Sequence, residues 1–100
     1  MTPAATRTGG RSPKDPLQVI PGIGPSLARD LRLLGYRAPA DLRLADPEEM
    51  YRRLCRLTRT RQDPCVLYTF RCAVYYASRS RHRPELLLWW NWKDRPYQRN

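Results

Sequence analysis

Apolar residues recur along this chain in short groups that open behind prolines, and the spacing within each group is that of a helix. Leu27, Leu31 and Leu34 stand at intervals of four and three while Arg29, Asp30 and Arg32 take other faces. That pattern predicts an amphipathic helix begun by Pro25 and ended by Gly35. Met50, Leu54 and Leu57 form a second stripe behind Asp46-Pro47-Glu48-Glu49, where Asp46 is the N-cap, Pro47 the first helical position and Glu49 the capping-box acid. Asp63-Pro64 repeats the start signal for a segment from Cys65 to Ala77 in which only Thr69 and Arg71 are clearly polar. A helix apolar on all sides belongs at the centre of a fold. Val66, Tyr68, Thr69, Phe70, Val74, Tyr75 and Tyr76 also favour strands, but the capping signal and the length of the segment decide for helix.

Shorter elements flank these three. Asp15-Pro16 starts a very short first helix with Leu17 and Ile20 on one face, and Pro21 ends it because the residue before a proline avoids helical dihedrals. A turn of helix is expected at Pro39 to Leu44. Beyond a polar, basic link from Ser78 to Arg83, the run Leu86-Leu87-Leu88-Trp89-Trp90-Asn91-Trp92 must pack back on the body if it is not to remain an exposed patch. Residues 1–14 have no hydrophobic period and read as a flexible basic tail, and 95–100 as a frayed end. The expected fold over 15–94 is all-α, a compact bundle of four to five helices.

The chain has 100 residues and a formal charge of +10, from 19 Lys and Arg against 9 acids. Most of the positive residues are arginine, whose planar guanidinium suits phosphate, so a polyanion is the first partner to consider. The bland alternative is that an arginine-rich composition merely reflects a GC-rich genome. No apolar run of about 18 residues or hydrophobic leader is present, which predicts a cytoplasmic protein with no membrane contact. In that compartment Cys55, Cys65 and Cys72 are expected to be free, buried thiols. Cys65 and Cys72 share a helix face but lie about 10 Å apart along the axis, and no cysteine pair has structural-zinc spacing, so no metal or cofactor is expected. With one histidine, His82, in a basic linker and acids spread over helix starts, no catalytic group is evident and no enzyme is expected.

The segment LQVIPGIGPSLARDLRLL, Leu17 to Leu34, resembles the helix-hairpin-helix family. The resemblance implies that Gly22 and Gly24 allow close approach to a DNA phosphate, that Ile23 plugs the two helices together, that Ser26 and Arg29 assist, and that Leu27 and Ala28 pack. Anions at helix starts are favoured on general grounds. Ser26 and Asp30 depart from the pattern, because DNA-binding hairpins often carry Lys or Arg there, and Arg29 and Arg32 compensate only in part. A purely structural hairpin is the competing reading. A paired arrangement of the SAM-like type would place a degenerate second hairpin at Thr58 to Asp63. Arg52, Arg53, Arg56, Arg59 and Arg61 put five arginines and no acid between 52 and 61, a second footing for phosphates or simply a solvated face.

Over Pro16 to Asp94 the order of PGIGP, LGY, ADL, DPEEMYRRLC, DPCVLYTFRCAVYYA and LLLWWNWKD resembles the small bacterial pathogenicity-locus family, some members of which are labelled mitomycin resistance protein. The resemblance implies a helix-hairpin-helix fold and a nucleic-acid link without defining an activity. The expected function is therefore largely sequence-independent binding of duplex or structured DNA. The alternative is a protein-interaction adaptor that docks a protein partner through the tryptophan segment. Trp89, Trp90 and Trp92 are expected mainly as core, with base stacking as the rival role.

Overall fold

Proline opens almost every element of the computed structural model, which describes residues 15–97. It stands at the start of α1 (Pro25–Leu33), α2 (Pro47–Thr58) and α3 (Pro64–Ser78), and of the 3-10 turns Pro16–Val19, Pro39–Leu42 and Pro84–Leu87. A fourth 3-10 turn spans Trp89–Trp92. A proline at this position gives up an amide that has no helical partner anyway and brings a preset φ. The described residues are thus all-helical, with no strand, as three α-helices and four single turns rather than four to five helices. The expected first helix is one turn of 3-10, because Ile20, directly before Pro21, is already extended at φ −72° and ψ 129°.

α3 is the centre of the fold, packed by α2, the Pro39–Leu42 turn and both C-terminal turns. Phe70, Ala73 and Val74 are fully buried in it, and the face they make meets Leu17, Ile20, Leu31, Leu42, Met50 and Leu54. Thr69 and Arg71 within it are both given protein partners. The Thr69 hydroxyl donates to the Cys65 carbonyl at 2.8 Å. The Arg71 guanidinium pairs with Glu48 of α2 at 2.7 Å and donates to the Trp92 carbonyl at 2.8 Å, tying three elements together. A charge this enclosed is retained only with such partners.

Two parts of the expected core differ. Leu57 is 54% exposed, because the inward face of α2 continues from Met50 and Leu54 to Thr58, whose hydroxyl donates back to the Leu54 carbonyl. Glu49 makes no reciprocal cap, since its carboxylate takes Arg52 at 3.0 Å and Arg56 at 3.4 Å, and those guanidiniums hold it below its usual titration range. Among the cysteines only Cys72 is buried, while Cys55 is intermediate and Cys65 exposed at the first turn of α3.

The tryptophan run does pack back. Trp92 is buried beside Cys72, Tyr75 and Leu86, with its indole N–H donating to the Leu86 carbonyl at 2.9 Å. Trp89 is partly covered and Trp90 is exposed. Tyr97 lies half-buried against Trp92. The basic tail expected over 1–14 and the last three residues of the chain lie outside the described residues. Among the described residues no helix is long and apolar enough to cross a membrane.

Candidate functional site

The turn before α1 follows from its sequence. Pro21 and Gly22 stand at the second and third places of a tight turn closed by Ile23 N–H donating to the Ile20 carbonyl at 3.1 Å. Gly22 has φ +84°, the left-handed value that the third place of a Pro-Gly turn requires. A Cβ there would lie 3.2 Å from Cδ1 of Trp89 and 3.4 Å from Cγ2 of Thr69. The close approach at Gly22 is therefore made by the protein's own tryptophan segment. Ile23 is 5% exposed and sits in the main core with Leu17, Ile20 and Leu31, as a plug would.

Gly24 is different in every respect. It is the N-cap of α1 at φ −93°, with no side-chain cap, and a Cβ added to it would meet nothing within 4 Å. The first amide of α1 to find a partner is that of Ala28, which donates to the Gly24 carbonyl at 2.9 Å. Among the described residues the amides of Gly24, Ser26 and Leu27 donate to no protein acceptor, leaving the positive end of the helix uncompensated.

This helix start borders a cleft of about 790 Å³ lined by Asp15, Pro16, Gln18, Pro25, Arg29, Arg32 and Arg37. Asp15 caps Leu17 N–H at 3.0 Å and forms an ion pair with Arg32, so that one positive side chain is neutralised. Arg29 and Arg37 are exposed and form no ion pair among the described residues. Asp30 lies next to Arg29 on α1, and partial burial pushes its carboxyl up against the opposing pull of that guanidinium.

Arg37 was not singled out from the sequence, although Gly35 carried the signal for it. Gly35 at φ +104° reverses the chain, with Tyr36 N–H returning to the Leu31 carbonyl and Gly35 N–H to the Arg32 carbonyl. Asp41 then accepts from the Arg37 and Ala38 amides at 2.9 and 3.1 Å, which fixes the loop that carries the side chain.

The α2 arginines are placed otherwise, and none of them lines this cleft. Arg53 donates to the Leu34 carbonyl at 2.9 Å and so finishes the far end of α1. Arg52 and Arg56 share Glu49. Arg59 is the left-handed C-cap of α2, and Arg61 is exposed in the loop that follows. That loop is held inward by Gln62, whose carbonyl accepts from the Tyr51 hydroxyl and whose amide side chain donates to Thr58 at 3.0 Å. At the start of α3 the place an anion would take is filled by Asp63, which accepts from Cys65 N–H at 2.8 Å and is held below its usual titration range by that bond.

The remaining reactive groups have structural partners. Burial pushes the Cys72 thiol up to about 11, and a hydrogen bond with the Asp63 carboxylate pushes up that of Cys65. His82 stacks on Tyr76 with ring centres 4.9 Å apart and contacts the Tyr76 carbonyl through Nε2 at 2.8 Å. Among the described residues no three His, Cys, Asp or Glu side chains are grouped to hold a metal ion.

The chain is 36% identical over 76 residues to "Mitomycin resistance protein McrB" of Streptomyces lavendulae, a stretch covering 76% of this chain and 69% of that one. No solved structure matches it. The family described as "Pathogenicity locus" (Cdd1) matches residues 11–98, a span that contains the turn, the Arg29 cleft, all three α-helices and the tryptophan segment. The chain belongs to the pathogenicity-locus family.

Proposed function

We propose that this protein is a non-catalytic DNA-binding module whose Pro21–Gly24 turn and α1 act as a helix-hairpin-helix, holding one strand of a duplex by its phosphates. The observation that carries this reading is the uncapped start of α1, where the amides of Gly24, Ser26 and Leu27 open beside a cleft carrying Arg29 and Arg37. Amides aimed at an oxyanion, the helix dipole and unpaired guanidiniums reinforce one another on a phosphate. Ser26, exposed on the first turn, adds a hydroxyl donor. Phosphate contacts place a protein on DNA without reading its bases, so binding is largely independent of sequence. Arg59 and Arg61 lie on another loop and serve as a second, weaker footing. Gly22 and Ile23 support the site as parts of the turn rather than as contacts.

Gly24→Asp is the discriminating variant. It places a carboxylate over the amides that would take the phosphate, and at the same position an aspartate is a better N-cap than glycine by a few tenths of a kcal/mol. Wild type should bind a labelled duplex with a salt slope of about −2 to −3, corresponding to two or three neutralised phosphates. Gly24→Asp should bind at least about tenfold more weakly while melting no lower than wild type, since losing one charge-assisted contact and adding a repulsive charge act together. Equal binding by the two proteins would assign the affinity to diffuse charge. Absence of binding by the wild type would favour the adaptor reading, for which Trp90, 54% exposed, and Leu88, 40% exposed, offer the docking surface. The name of the Streptomyces relative adds an expectation under the same proposal: expression of this chain should raise survival of a host treated with mitomycin, and Gly24→Asp should not.

A further inference from the structure

A second cleft, of about 620 Å³, lies between the C-terminal end of α3 and the last described residues and shares no lining residue with the cleft beside α1. One wall is the segment after α3. Arg79 and Arg83 are both extended there, at φ −131°, ψ 145° and φ −77°, ψ 128°. The chain bends at Ser80 and Arg81 between them. Arg79, Arg81 and Arg83 all line the cleft, while His82 packs on Tyr75 and Tyr76. The segment is fixed to the helix by Arg83 N–H donating to the Tyr75 hydroxyl at 2.8 Å and by His82 on the Tyr76 carbonyl.

The rest of the lining includes aromatic rings. Tyr97 is half-buried with its ring centre 6.2 Å from that of Trp92, and the Arg95 guanidinium stands 6.0 Å over the Trp92 ring. Leu86 forms part of the lining. Four guanidiniums thus border the cleft against one lining carboxylate, Asp94, although Arg83 is partly neutralised by Glu85 at 2.6 Å. Arg81 makes no ion pair or hydrogen bond among the described residues.

We infer that this cleft binds a nucleotide, with the base against Tyr97 and the Arg95 guanidinium and the phosphate on Arg81 between Arg79 and Arg83. The volume lies within the range of small-ligand sites. A lining that brings the Tyr97 ring together with several arginines matches a ligand that is planar at one end and anionic at the other, and bases stack on both tyrosine rings and guanidinium planes. The nucleotide is either a free nucleoside monophosphate or an unpaired nucleotide in a DNA strand. This site does not depend on the proposal for α1.

Titration calorimetry of the full chain with deoxyadenosine monophosphate, a short oligothymidine strand and inorganic phosphate tests it. Arg81→Glu, at an exposed side chain without a partner among the described residues, leaves the fold intact and should weaken nucleotide binding at least about tenfold; Tyr97→Ala should weaken it about tenfold without changing binding of inorganic phosphate. Gly24→Asp should bind the mononucleotide as wild type does, so that failure of the α1 proposal and failure of this one are told apart. Arg81-dependent binding of the mononucleotide supports a free nucleotide as ligand, and Arg81-dependent binding of the strand alone supports a strand-borne one. The inference is overturned if wild type binds neither probe, if Arg81→Glu binds both as wild type does, or if inorganic phosphate binds as tightly as the nucleotide.

Discussion

The starts of α1 and α3 have the same first residue and opposite finish. Pro25 and Pro64 each open a helix, but the residue before them is Gly24 in one case and Asp63 in the other. Asp63 folds its carboxylate over the Cys65 amide and completes the helix end from within. Gly24 has no side chain to do so, and the helix it opens borders, through Pro25, a cleft with Arg29 and Arg37. α2 follows α3, with Asp46 accepting from Glu48 and Glu49 at 3.0 and 3.4 Å. A helix start is an anion site in every helix, and what differs is whether the chain supplies its own anion.

The largest effect that probes this contrast concerns the glycine two residues earlier. Gly22→Ala forces a side chain into left-handed backbone and against Trp89, and should cost about 2 to 3 kcal/mol, lowering the melting temperature by about 10 °C or more in a circular dichroism scan. If Gly22→Ala melts as wild type does, the turn is not held by the tryptophan segment. Next comes conversion of the closed start into an open one. Asp63→Gly should tighten duplex binding about two- to threefold and steepen the salt slope by about one phosphate; no change in slope would show that the Arg29 cleft, not amide exposure, sets the difference.

Acid titration gives a smaller effect with a defined sign. The Asp63 carboxyl lies below its usual value of 3.8 in the folded state, so its contribution is complete above that value and disappears as pH falls through the folded value. Wild type should therefore lose stability below about pH 4 more steeply than Asp63→Gly, read from denaturation midpoints at each pH. The smallest effect is chemical. Cys65 is exposed but kept protonated by Asp63, so Asp63→Gly should speed its alkylation near pH 8, whereas Cys72, buried and titrating at about 11, should react only after unfolding in both proteins.

Much of this architecture was legible before folding because it is local. Asp-Pro at 46–47 and 63–64, Pro-Gly at 21–22 and the glycine at 35 each act within a few residues, and each helix begins or ends where those signals stand. The apolar stretch of α3 announced a central helix, since a segment without a polar face has to be covered on all sides. The all-helical class and the uncapped glycine before Pro25 rest on the same short-range rules.

What the order of residues did not reveal depends on contacts between distant parts. Gly22 and Gly24 look equivalent in the motif, yet Trp89, 67 positions beyond Gly22, covers only the first. The arginines from 52 to 61 form one cluster along the chain, but Leu34 and Glu49 take three of them, while Arg29 joins Arg37 across a reversal. Arg79, Arg81 and Arg83 read as a solvated link until Tyr75 and Tyr76 anchor the backbone and Trp92 and Tyr97 close the other side. Short-range hydrogen bonding sets where helices start, whereas the charge left available for a ligand is what remains after long-range packing has assigned every other group a partner.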